Sequence, residues 1–187
     1  MISAWRLLRR ELAKHAFDGE GARLYGGRWN SPGTAMTYCS ATASLAALEV
    51  FANVPRFELA SEYVLIECTF DESVVEIIES RTLPKDWQRS PAPAELQRIG
   101  DAWIRDGRAV VLAVPSAIIE HERNYLLNPK HPDFKRVWRG RPQPFAFDAR
   151  PALTEFVSLL PRLSGKKVPK ADEGAAHTAQ SSKAPAH

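Results

Sequence analysis

Residues 108–119, RAVVLAVPSAII, form an almost unbroken apolar run that starts directly after Gly107. Its valines favour the pleated backbone of a strand, and without polar alternation the run has no face to give to water. It reads as a strand buried on both faces, and the rest of the chain has to supply that burial. With 187 residues and 44% hydrophobic content, the chain can do so as one domain with a tail.

The neighbouring segments fall into place around this strand. SAWRLLR (3–9), AMTYCS (35–40), EYVLIECTF (62–70), SVVEIIE (73–79) and the alternating QPFAFDAR (143–150) read as further strands. TASLAALEVFANV (42–54) reads as an Ala- and Leu-rich helix, capped by Ser40 or Thr42 and ending near Asn53 and Pro55. PAPAELQRIGDAWIRDG (91–107) reads as a helix opened by proline and stopped by Gly107. After RNYLL, a turn is expected at Asn128-Pro129, then a short helical piece and a strand. Strands outnumber helices and the connections vary, so the expected class is α+β with a mixed or antiparallel sheet and flanking helices.

GARLYGGRWNSPG (21–33) fits neither period and is expected to be a loop. Glycine admits positive φ and close approach of a ligand, Arg28 can pair bidentately with a phosphate or carboxylate, and Tyr25 or Trp29 offers a ring face. A nucleotide would suit that set. The spacing is not that of a phosphate loop, however, and a tight hairpin whose aromatics pin the loop to the core suits it better.

Glu49 is out of place by composition. Its neighbours on the helix are Leu45, Ala46, Ala52 and Asn53, a small and largely apolar face. A carboxylate there is costly unless it is paired or used. It is either a helix-edge residue paired with an arginine or an acid group able to grip a sugar hydroxyl and steady a developing cation. Ser116, after the buried strand and Pro115, is either a turn cap or a displayed polar group. His121 and His131 complete no nucleophile motif and carry no metal-ligand spacing, so neither a hydrolase triad nor a metal site is expected. Asn124 and Asn128 are expected to satisfy loop backbone.

The net charge of +3 sits in the tail. Residues 162–187 hold five basic and two acidic side chains, which leaves 20 of each sign in residues 1–161. A neutral body argues against direct nucleic-acid binding. The tail lacks large apolar residues after Val168 and is expected to be disordered and polar. No apolar run reaches membrane-spanning length, and MISAWRLLRRELAKH carries no signal-peptide core, so a cytoplasmic location is expected. Cys39 and Cys68 are expected as reduced thiols.

Arg6 in the first strand, GARLYGGRWNSPG, TYCSATASLAALEV, GDAWIRDGRAVVLAVPSAII, NYLLNPKHPDF and PFAFDAR together resemble the RES domain. The resemblance covers Met1 to Arg150. It implies a catalytic domain over residues 1–160, a tail over 161–187, and a fold resembling ADP-ribosyltransferase toxins. It also implies a toxin of a bacterial toxin–antitoxin pair, silenced by an Xre-type helix-turn-helix antitoxin, with a homodimer inside a larger complex. The family's arginine, glutamate and serine fall on Arg28, Glu49 and Ser116, and its active-site tyrosine on Tyr38. Arg6, Tyr25, Gly27 and Trp29 would line the binding pocket. NAD would be substrate rather than resident cofactor. Its nicotinamide glycosidic bond would be cleaved by phosphorolysis, with inorganic phosphate as co-substrate, or by hydrolysis. Transfer of ADP-ribose to a protein and a non-catalytic nucleotide-binding module are the alternatives.

Overall fold

A computed structural model describes residues 1–53 and 62–147. Its elements are β1 (Ile2–Arg9), α1 (Glu20–Tyr25), β2 (Thr37–Ser40), α2 (Ala43–Asn53), β3 (Tyr63–Phe70), β4 (Val75–Ile77), α3 (Ala94–Asp106), β5 (Val111–Pro115), β6 (Arg123–Leu127), β7 (Trp138–Arg139) and β8 (Gln143–Phe145). The strands form one sheet in the order β4-β5-β6-β2-β1-β3-β7, with β8 also on β3. Only β4 and β5 run parallel among the described pairs, so the sheet is mixed and the class is α+β. No described helix is long and apolar enough to cross a membrane.

β5 is buried along its whole length and serves two cores. Val111 and Ala113 pack with Ala4, Cys39, Cys68, Phe70, Tyr125 and Leu127. Leu112 and Val114 point the other way, into Trp29, Met36, Leu96, Trp103 and Leu126. The strand stops at Pro115, and residues 116–122 are turns rather than the strand continuation the apolar run suggests. The polar shell of the turn begins at Ser116, whose hydroxyl accepts from the amides of Ile118 and Ile119.

α2 begins where expected. Thr42 caps it by accepting from the Leu45 amide at 3.0 Å, while Ser40 is engaged elsewhere. Trp5 and Leu7 of β1 pack against Ala46, Ala47 and Val50, so α2 covers that face of the sheet. α3 ends at Gly107, whose φ of 58° and N–H to the Trp103 carbonyl make a left-handed cap.

Several elements differ in extent from the expectation. The segment 21–33 is not all loop, because its first five residues belong to α1. That helix is too short to show a period, and Gly26 ends it at φ 71°. RNYLL adds a further strand, β6, whose Tyr125 and Leu127 face one core and Leu126 the other, while Arg123 and Asn124 lie at its polar start. SVVEIIE is a strand, as expected, only over its middle three residues, β4, which a helical turn over 72–74 precedes. Strand β8 covers only 143–145 of the expected 143–150. Residue 54, residues 148–150 and the expected tail lie outside the described residues.

Cys39 and Cys68 are free and buried, with sulfurs 3.8 Å apart. They stand on the two strands that pair with β1, Cys68 opposite Ala4 on β3 and Cys39 on β2 next to Ser40, the partner of Trp5.

Candidate active site

Glu49 projects from α2 toward the end of the sheet where β5 stops and β6 begins. One carboxylate oxygen, Oε1, accepts from the Asn124 amide at 2.6 Å and from the Ser116 hydroxyl at 3.2 Å. Oε2 accepts no hydrogen bond among the described residues. Burial pushes the carboxyl above its ordinary range, and the bonds from Asn124 and Ser116 and the charge of Arg28 pull it back in part.

Arg28 is held from outside the glycine segment. Its Nη1 donates to the Trp87 carbonyl at 2.7 Å and the Arg89 carbonyl at 3.2 Å. Its Nε and Nη2 donate to nothing among the described residues. Burial lowers the guanidinium pKa, opposed first by Glu49 and then by Tyr38. Arg28 and Glu49 thus interact electrostatically, but they form no ion pair among the described residues. A free carboxylate oxygen and two free guanidinium nitrogens remain for a ligand carrying both hydroxyls and negative charge.

The glycine segment is built from inside by Asn30, which is fully buried. Its amide nitrogen donates to the carbonyls of Ala22, Ser31 and Thr34, and its oxygen accepts from the Tyr38 hydroxyl at 2.7 Å. That hydroxyl also accepts from the Trp29 amide at 3.1 Å. Burial drives the Tyr38 phenol far above its ordinary pKa, so it keeps its proton and shapes the loop. α3 supports the same loop at alternate residues. Gln97 donates to the Gly27 carbonyl, Gly100 lies against the Trp29 carbonyl, and Asp101 accepts from the Ser31 amide. Residues 97, 100 and 101 share one helix face, which explains the regular spacing of 27, 29 and 31.

The expected site residues therefore separate. Arg28, Glu49 and Ser116 come together, and Tyr38 adjoins them as a loop support. Trp29 does not offer a stacking face, because only 2% of it is exposed and its ring belongs to the core around Leu96 and Trp103. Gly27 makes room for protein rather than ligand, since a Cβ there would stand 2.6 Å from the Tyr38 oxygen. Arg6 lies away from α2, because it alternates with Trp5 and Leu7. Its neighbours are Cys39, Asp18 and Cys68, and its Nη1 donates to the Tyr38 carbonyl from behind. Tyr25 is 85% exposed at the end of α1. Asn128 satisfies loop backbone as expected, through the Lys130 amide, whereas Asn124 binds side chains. Asn30, Gln97, Asp101 and Asn124 are the participants that sequence reading missed or misplaced. Among the described residues no group of three or more His, Cys, Asp or Glu is placed to hold a metal ion.

Fold and site together define a small α+β domain with a tethered carboxylate facing a tethered guanidinium at one end of a mixed sheet. The family model described as RES domain matches residues 3–148. The chain is 34% identical over 147 residues to a Toxin Res from Yersinia enterocolitica, covering 78% of this chain and 97% of that protein. It is 33% identical over 153 residues to a Prs ADP-ribosylating toxin from Sphingobium sp., covering 79% and 95%. Its fold is similar to that in the crystal structure of the M. tuberculosis MbcT–MbcA toxin–antitoxin complex, with a TM-score of 0.66, 18% identity and coverage of 88% and 90%. The chain belongs to the RES domain family.

Proposed function

We propose that this protein is the toxin of a toxin–antitoxin pair and that it consumes NAD in the cytoplasm by breaking the nicotinamide–ribose bond. The observation that carries the reading is the Glu49 carboxylate, tied through Oε1 alone and facing Arg28. Arg28 would take the pyrophosphate with its two free nitrogens. Glu49 Oε2 would accept from a hydroxyl of the nicotinamide ribose. As the C–N bond breaks, its electron pair neutralises the nicotinamide ring, so the leaving group needs no acid. The ribose carbon becomes oxocarbenium-like, and the negative charge of Glu49 stabilises it until an oxygen nucleophile adds. Ser116 is fully buried and its hydroxyl is engaged three times, so it steadies Glu49 rather than attacking.

The relatives support the toxin part of the reading, since those matched above are named as toxins and the structural neighbour was solved with its antitoxin. A helix-turn-helix antitoxin of Xre type is the partner this reading calls for. The second reading, transfer of ADP-ribose to a protein, rests on the name of the Sphingobium relative. Incubation with NAD decides among these: phosphate-dependent nicotinamide release indicates phosphorolysis, phosphate-independent release hydrolysis, and label on a protein acceptor transfer. No turnover refutes the enzymatic reading. Expression without antitoxin is expected to arrest bacterial growth and lower cellular NAD. Normal growth with soluble protein and unchanged NAD would count against the toxin assignment.

Arg28→Lys provides a direct test of the pyrophosphate role. Lysine keeps the charge but cannot hold the Trp87 and Arg89 carbonyls while also presenting a planar pair of donors. NAD binding is expected to weaken by about tenfold, the loss of roughly 1.4 kcal/mol, with the melting temperature little changed. Calorimetric titration with NAD measures this, and an unchanged Kd would make Arg28 structural.

A further inference from the structure

One more side chain grips the carboxylate at the centre of the site. Asn124 lies on β6, where it pairs with Ser40 of β2 on one side and Val114 of β5 on the other. Its amide nitrogen donates to Glu49 Oε1 at 2.6 Å, shorter than the 3.2 Å from Ser116. Its amide oxygen accepts from the Ser40 hydroxyl at 2.8 Å. An asparagine amide can in principle be reversed, presenting oxygen where nitrogen stood. Here the carboxylate decides the matter: ionised, it only accepts, so the NH2 end faces Glu49, and the buried Ser40 hydroxyl, which can donate or accept, donates to the amide oxygen left on the other side. Ser116 gives the same oxygen the longer of the two bonds, its one proton reaching Oε1 at 3.2 Å while its oxygen accepts from the Ile118 and Ile119 amides.

We infer that Asn124, braced by Ser40, is the positioning residue for Glu49: it pins Oε1 so that Oε2 is the oxygen presented to substrate, and it favours the charged carboxylate. The positioning stands on geometry alone; its effect on turnover rests on the function proposed above. Among the described residues, the groups facing Glu49 are Asn124 from β6, Ser116 from the turn after β5, and Arg28 from the glycine segment, and of these only Arg28 is charged.

Three variants test this: Asn124→Ala, the isosteric Asn124→Asp, and Ser40→Ala. Two readouts are needed, NAD turnover and the titration of the Glu49 carboxyl carbon followed by NMR in the free protein. Asn124→Ala is expected to lower kcat by up to about a hundredfold, as small misplacements of a reacting group do, with KM changed far less. The Glu49 titration should move to higher pH, because a donor favouring the ionised form is gone. The acid limb of the kcat profile should move with it. Asn124→Asp should move both further, since it sets a second carboxylate against the first. Ser40→Ala removes only the brace on the amide oxygen and is expected to shift both in the same direction by a smaller amount. If Asn124→Ala proves too unstable to assay, Ser40→Ala carries the test. A Glu49 titration that stays at its wild-type position in these variants overturns the inference, as does a wild-type kcat in Asn124→Ala. If the wild-type protein turns over no NAD, the proposed function fails, while the NMR titration still reports whether Asn124 holds Glu49.

Discussion

Glu49→Gln is expected to lower NAD turnover by on the order of a hundredfold or more while leaving the protein at least as stable as wild type near neutral pH. The substitution keeps the acceptor for Asn124 and Ser116, so the local packing survives. What disappears is the charge. That charge matters most when the ribose carbon becomes cationic, so kcat should fall much further than NAD affinity. A variant with near wild-type turnover would remove Glu49 from the mechanism.

The stability half of this prediction follows from linkage. Burial raises the Glu49 pKa above its unfolded value, outweighing Asn124, Ser116 and Arg28. A carboxyl raised in this way contributes stability that is fully present below the unfolded carboxylate pKa and is lost as pH rises through the folded value. Near neutral pH the wild type carries that cost and the glutamine variant does not. At acid pH both side chains are neutral and the difference should vanish. Thermal unfolding at the two pH values measures it. A glutamine variant that melts clearly below wild type near neutral pH would mean that attraction to the Arg28 charge outweighs burial.

How far the site was legible depended on whether a residue's role is set locally. Glu49 stood out because a carboxylate on an Ala- and Leu-lined helix face has no local reason to be there. β5 stood out because an unbroken apolar strand must be covered twice, and its two faces do feed two cores. Thr42 and Gly107 followed from helix-end chemistry that acts over three or four residues. Trp29 was ambiguous for the opposite reason. An aromatic beside glycine looks the same whether it stacks on a ligand or anchors a loop, and only the arrival of α3 decides. The carbonyls that hold Arg28 lie about sixty residues away in sequence, and nothing in residues 84–92 marks them as donors' partners. Arg6 shows a third case. Its alternation with Trp5 and Leu7 was visible in the chain, but which face α2 would cover was not. The RES resemblance named Arg28, Glu49 and Ser116, which lie together in the fold, while their surroundings had to come from packing.

Gly100→Ala is expected to be the most damaging single-methyl change in the protein, against the ordinary trend for helices. An alanine inside a helix normally gains about 0.5–1 kcal/mol over glycine. Gly100 is buried within α3, so that gain is on offer. A Cβ there, however, would land on the Trp29 carbonyl oxygen, well inside van der Waals contact, and 2.9 Å from the carbonyl carbon. Both atoms are backbone, and the loop that carries them is tied on either side by Gln97 and Asp101 of the same helix. Neither surface can yield without breaking those bonds or moving Trp29 out of its core. Overpacking of this kind costs about 1–3 kcal/mol and occasionally more, and the upper end applies because the obstacle is main chain. The melting temperature should fall by several degrees, at roughly 2–4 °C per kcal/mol for a domain of this size. Any protein that remains folded should have Arg28 displaced along with Trp29, so NAD affinity should drop even where folding is restored by cooling. Gly21→Ala supplies the contrast. It also lies in a helix, α1, with nothing within 4 Å of its would-be Cβ, and it should melt at or slightly above wild type. If Gly100→Ala instead behaves like Gly21→Ala and binds NAD normally, α3 does not set the position of the glycine segment, and the support of Arg28 must be sought in the Trp87 and Arg89 carbonyls alone.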